Sequence, residues 1–123
     1  MRPPIAIIDT ENLKHNALEI KKLCNKSKFC AVVKSNAYGH GIAECSRAIY
    51  DIVDCFAVSL LSEAISLRYA GIDKDILMLL PPSKDEISAL IRHEITITVD
   101  SVKRLNEVIK VAVAINKIAK VAI

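Results

Sequence analysis

Short apolar runs alternate along the chain with stretches whose apolar positions recur at three- and four-residue steps, the rhythm of strands followed by amphipathic helices. Residues 5–8 read as a brief strand. Asp9-Thr10 then offers a helix cap, and Leu13, Ala17, Ile20 and Leu23 follow at helical spacing. Residues 29–33, Phe-Cys-Ala-Val-Val, form an uninterrupted apolar run, as expected of a strand buried on both faces. A polar, glycine-containing turn over 35–41 leads into a helix over about 42–52 that packs through Ala43, Ala48 and Ile49.

The alternation continues. Residues 55–60 predict a strand, and 62–70 a short helix closed by Gly71. The run 76–80 stops at Pro81-Pro82. Ser83 and Glu86 have capping-box spacing ahead of a helix bearing Ile87, Leu90 and Ile91. Residues 95–99 are rich in β-branched side chains and predict another strand. Asp100 or Ser101 caps a longer helix carrying Val102, Leu105, Val108, Ile109 and Ala112, and residues 119–123 begin a further apolar run. Strands separated by single helices predict an α/β fold of right-handed β-α-β units with a parallel sheet. No low-complexity stretch or linker divides the chain. No cap or polar tail comes after the last run, so the pattern predicts that the chain stops inside a strand, leaving an unprotected edge.

Composition narrows the function classes. The 123 residues are 52% hydrophobic and 25% charged, ordinary for a globular domain, and the net charge of +3 comes from basic residues scattered among acids. Three glycines, no tryptophan and 4% aromatic residues argue against a nucleic-acid platform. Cys24, Cys30, Cys45 and Cys55 form no C-x-x-C motif and have no accompanying histidine cluster, so no metal site is expected. They read as free thiols in a reducing, cytoplasmic compartment. The apolar stretch before Asp9 is too short for a signal peptide, and no segment is long enough to cross a bilayer.

Chemistry concentrates at Lys34, which closes the first long strand and precedes Ser35-Asn36-Ala37-Tyr38-Gly39-His40-Gly41. Strand alternation puts Cys30, Val32 and Lys34 on one face. Parallel α/β folds place their chemistry at the carboxyl ends of the strands, and a lysine partly buried there can present a free amine to a carbonyl electrophile. By itself such a lysine is usually a surface charge. His40, between two glycines, reads as a residue that holds the turn, and Gly39 and Gly41 as positions needing a tight backbone path. Glu63 and Arg68 lie five residues apart and read as structural contacts. His15 and His93 fall on helical stretches and read as ordinary, partly exposed residues.

The string Ala31-Val32-Val33-Lys34-Ser35-Asn36-Ala37-Tyr38-Gly39-His40-Gly41 resembles the pyridoxal-phosphate attachment segment of alanine racemases. Residues 56–64, 67–72 and 76–79, and the opening Ile8-Asp9 with 12–16, resemble successive elements of the same family. The resemblance runs in order over essentially the whole chain. It implies the N-terminal half of a (β/α)8 barrel with parallel strands, ending within about the fifth barrel strand, with residues 1–123 as a partial barrel domain. The rest of the barrel and a mostly β C-terminal domain lie outside them. It also implies pyridoxal 5'-phosphate as cofactor, alanine as substrate, D-alanine supply for peptidoglycan as the role, and a homodimer for the full-length parent. Lys34 is then the catalytic residue and the cofactor's attachment point, and Tyr38 binds the cofactor phosphate.

A complete barrel takes about 250 residues and eight strands. The family's later phosphate-binding loops, its arginine facing the pyridine nitrogen and its partner-subunit tyrosine have no counterpart here. The chain alone is therefore expected to be inactive and to self-associate. Three alternatives stay open: a racemase for another amino acid, a non-catalytic pyridoxal-phosphate-binding barrel protein, and a remnant that binds no cofactor.

Overall fold

The computed structural model describes residues 2–123. Five strands form one sheet in the order β1-β2-β3-β4-β5, every neighbouring pair parallel. They are β1 (Cys30–Val32), β2 (Cys55–Val58), β3 (Ile76–Met78), β4 (Thr96–Thr98) and β5 (Val121–Ala122). Ahead of β1 lies α1 (Thr10–Cys24). A single turn, α2 (Lys34–Tyr38), and α3 (Ile42–Ile49) connect β1 to β2. The later crossovers are α4 (Leu61–Tyr69), a 3₁₀ turn (Lys84–Glu86) leading into α5 (Ile87–Arg92), and α6 (Val102–Ala114).

Local chemistry sets most boundaries. The Asp9 carboxylate accepts from the backbone N–H groups of Glu11 and Asn12, both at 3.0 Å, and starts α1. Ser101 Oγ accepts from Arg104 N at 3.2 Å and starts α6. The Glu86 carboxylate accepts from Ser83 N at 2.8 Å and Ser83 Oγ at 2.9 Å, so the anticipated Ser83–Glu86 pairing forms, though it opens a 3₁₀ turn before the helix proper. Gly71 takes φ +86°, the left-handed conformation that ends α4.

The core shows which face of the sheet is covered. Ala31, Val33, Phe56, Val58, Ile76, Met78, Ile97 and Val99 cluster with Ile49, Leu67, Leu90 and Val108 from the helices. By alternation Cys30, Val32, Cys55, Leu77, Thr96 and Thr98 belong to the opposite face, which lies outside the cluster formed with the helices. Strands added in sequence order, with all helices on one face, are the winding of a (β/α) barrel. A doubly wound sheet reverses its strand order and carries helices on both faces.

The expected opening strand does not form. Residues 2–9 adopt no regular structure, and Ile5 and Ile7 are 85% and 90% exposed. A lone extended segment gains nothing without a neighbour to satisfy its backbone, and Pro3-Pro4 removes two donors from it.

The amino ends of the strands are tied by buried stems with charged heads. Arg68 donates to four carbonyls: His93 O at 2.9 Å, Ile72 O and Lys74 O at 2.8 Å, and Glu94 O at 3.1 Å. It thereby joins the α4–β3 loop to the α5–β4 loop. Burial pulls the guanidinium below the ordinary arginine value, opposed by the nearby Glu94, Asp75 and Asp73. Lys74 donates to Tyr50 O at 2.5 Å and Val53 O at 2.6 Å, and sits 4.6 Å from the Tyr50 ring centroid. The expectation that Arg68 acts structurally is met by these contacts.

Candidate functional site

Lys34 lies at the carboxyl end of β1, half-buried. Extended backbone stops one residue earlier, since Val33 has φ −122° and ψ 20°. The alternation that places Cys30 and Val32 on the open face therefore does not run on through Lys34. Among the described residues no ion pair or side-chain hydrogen bond engages its amine.

The backbone after Lys34 is unusual. Ser35, Asn36 and Ala37 sit at φ of 54°, 55° and 53° with ψ near 45°, and Tyr38 has φ 52°. Thus α2 is one turn of left-handed helix built from four consecutive non-glycine residues. Each costs roughly 1–2 kcal/mol because Cβ crowds the following carbonyl oxygen. Hydrogen bonds across the turn oppose that cost: Ala37 N to Val33 O at 2.9 Å, and Gly39 N to Ser35 O at 3.1 Å. Gly39 continues at φ +86° and Gly41 at φ +95°. A Cβ on Gly41 would meet only the flexible Glu44 side chain, so it is the positive φ that favours glycine there.

Side chains then lock the loop. Asn36 Oδ1 accepts from Ile42 N at 2.9 Å, the first residue of α3. His40 Nδ1 faces Ala37 O at 2.9 Å, which requires the proton on Nδ1. His40 therefore holds the turn, as its place between two glycines suggested. From the neighbouring β-α unit, Glu63 Oε1 accepts from Ser35 N at 2.6 Å, while Oε2 accepts from Ser59 N and Leu60 N at 3.0 Å each. Glu63 makes the structural contact expected of it. That its reach extends to the residue after Lys34, 28 positions away, was not legible from spacing.

Tyr38 is 65% exposed at the end of the left-handed turn, and its hydroxyl has no hydrogen-bond partner among the described residues. Lys34 and Tyr38 thus begin and end the same turn. Neither of the two larger cavities includes Lys34. One of about 450 Å³ lies beside the turn, bounded by Asn12, Ala31, Val33, Tyr38 and Ile49. The other, about 500 Å³, lies between α6 and β5.

The thiols play a different part. Cys30 and Cys55 are register partners on the open face, and burial, with Cys55 alongside, pushes the Cys30 thiol up to about 12. Burial also raises Cys45, whose Sγ lies 3.5 Å from His40 O. Thiols held protonated in this way are poor nucleophiles. All four cysteines are free. Among the described residues no helix is long and apolar enough to cross a membrane.

An amine without a partner at a strand's carboxyl end, next to a turn that ends in an exposed phenol, is free to react with a carbonyl group. Comparison with known proteins shows the family. The family described as "Alanine racemase, N-terminal domain" matches residues 8–123. Alanine racemase of Streptococcus equi subsp. zooepidemicus is 47% identical over 105 residues, which are 85% of this chain and 29% of that protein. The Pasteurella multocida alanine racemase is 52% identical over 79 residues, 64% of this chain and 22% of its own length. Among solved structures, alanine racemase from Clostridium difficile 630 superposes with a TM-score of 0.87 at 33% identity, covering 92% of this chain and 30% of that one. The Oenococcus oeni alanine racemase gives 0.83 at 31% identity, covering 94% and 33%. The chain therefore spans about a third or less of the relatives it matches. Within that span the fold and the sequence agree with the family together, and the chain belongs to the alanine racemase family as its N-terminal domain portion.

Proposed function

We propose that this chain supplies the lysine-bearing part of a racemase that interconverts L-alanine and D-alanine, with pyridoxal 5'-phosphate as cofactor. The carrying observation is the Lys34 amine, unpaired at the end of β1 and followed by a left-handed turn that fixes its backbone. The donor set suits the group: a primary amine for its aldehyde, and a free phenol at Tyr38 for its phosphate. When bound, the cofactor withdraws electrons from the substrate α-carbon and so acidifies its proton.

The chain's own residues then have distinct tasks. Lys34 Nζ would hold the cofactor, and its amine would take or return the proton on one face of the substrate α-carbon. Tyr38 Oη donates to a phosphate oxygen. Asn36, His40 and Glu63 keep the turn from relaxing. A base for the opposite face, the remaining barrel strands and a mostly β C-terminal domain lie, on this reading, outside residues 1–123. The assembled enzyme is a cytoplasmic homodimer serving peptidoglycan synthesis.

The test is spectroscopic and kinetic. Titration with pyridoxal phosphate is expected to give a visible absorbance band that borohydride bleaches, absent in Lys34→Ala. No racemase turnover above that variant is expected from these 123 residues alone. A band of equal strength in Lys34→Ala would remove the reading.

A further inference from the structure

We infer that Glu63 is a positioning residue for Lys34, aiming its amine through the Ser35 peptide. This deepens the proposed function and rests on the reading of Lys34 as the cofactor's attachment point.

The chain changes conformation across Lys34. Val33 is close to extended in φ, whereas Ser35 is left-handed, so the peptide plane joining Lys34 to Ser35 decides where the Lys34 side chain leaves the backbone. The Ser35 N–H stands too early in the turn to find a carbonyl within it, the usual condition of a helix's first donors. Glu63 satisfies it at 2.6 Å. The other oxygen of the same carboxylate holds Ser59 N and Leu60 N, the first backbone groups of the β2–α4 loop. One side chain therefore fastens the carboxyl end of β1 to that of β2. Among the described residues it makes the one side-chain hydrogen bond joining the left-handed turn to another β-α unit.

Capping α4 needs only the second oxygen. The first is directed at the lysine's neighbour, and a glutamine cannot replace both. Its amide has a single acceptor oxygen, so Glu63→Gln turns an NH₂ group toward either Ser35 N–H or the loop donors. Glu63→Asp keeps the charge at the start of α4 but is one methylene short of Ser35. The pair of variants separates holding the turn from capping the helix.

Both variants are tested in the whole chain by two readouts. The first is amide hydrogen exchange at residues 35–41. The second is borohydride-trapped pyridoxal phosphate on Lys34, counted by peptide mass spectrometry relative to the exposed Lys103. Losing a charge-assisted bond is expected to quicken exchange in the turn by about tenfold or more and to lower relative labelling of Lys34 by a similar factor. Exchange in β3 and α6 is expected to stay within about twofold. Should Glu63→Gln not fold, Glu63→Asp carries both readouts. Turn exchange unchanged, or quickened only in step with the rest of the sheet, overturns the inference. So does labelling that keeps the wild-type ratio. If wild-type Lys34 takes no label in preference to Lys103, the cofactor reading fails, while turn exchange still decides whether Glu63 holds Ser35.

Discussion

Arg68 offers a sharp test of how the sheet is held together. Its guanidinium satisfies four backbone carbonyls in two loops, and among the described residues no carboxylate is bonded to it, so its removal chiefly breaks loop-to-loop connections. Each hydrogen bond contributes about 0.5–1.5 kcal/mol net, and the carbonyls nearest the surface recover water when the side chain is gone. A total near 3 kcal/mol is a reasonable middle figure, a large share of the ~5–15 kcal/mol that stabilises a domain of this size. Arg68→Met keeps the apolar stem and isolates the polar contribution. At roughly 4 °C per kcal/mol for a chain of 123 residues, its melting temperature is expected to fall by about 12 °C, followed by circular dichroism. Arg68→Lys places one ammonium where a planar fork reached four acceptors, so it is expected to recover less than half of the loss. A decrease under about 3 °C for Arg68→Met would refute the reasoning, since the four bonds would then be worth less than one ordinary bond.

Further expectations rest on other parts of the structure. Ser46 is fully buried in α3 and its hydroxyl has no partner among the described residues, so Ser46→Ala is expected to raise the melting temperature by about 4 °C, for a gain near 1 kcal/mol; an unchanged or lower value would mean that the hydroxyl is satisfied. Asp54, bonded to Lys21 and Phe29 N, and Asp75, bonded to Lys120, are held below the usual carboxylate value of 3.8. Depressed carboxylates favour the folded state above that value and lose the contribution as pH falls through their lower folded values, so melting scans are expected to be flat from about pH 5 to 7 and to drop below about pH 4. Cys30, raised from 9.0 to about 12, has the opposite sign: its contribution is complete below pH 9 and fades toward pH 12, and Cys30→Ala is expected to flatten that alkaline limb. With β1 and β5 unpaired at the sheet edges and Val32 46% exposed on the uncovered face, the chain is expected to self-associate; a single monomer boundary in analytical ultracentrifugation, with cooperative melting, would contradict this.

What could be read from the residues divides along physical lines. Caps at Asp9 and Ser101 and the Ser83–Glu86 pair were legible because a short polar side chain meets a donor within three positions. The parallel strands were legible because each apolar run is bounded by a helical period, and their β-branched and aromatic residues suit a covered sheet face. Residues 5–8 misled for the converse reason: the pattern is strand-like, but among the described residues no strand pairs with it. The handedness of α2 could not be foreseen. Asn tolerates φ > 0, but Ser, Ala and Tyr carry no such preference, and the conformation is imposed by Gly39, Gly41 and bonds to the flanking backbone. Glu63 was visible as a structural residue near the start of α4. Its second role depends on strand register, which sets β2 beside β1 and brings a side chain to a peptide 28 residues earlier.

Lys34 as the point where the cofactor joins the protein is the claim on which the rest stands. Reductive trapping with pyridoxal phosphate, followed by digestion and peptide mass mapping, addresses it directly. The added mass is expected on the peptide containing Lys34, at a yield well above that of any other lysine. Label spread evenly over the surface lysines, or an unmodified Lys34, would contradict it.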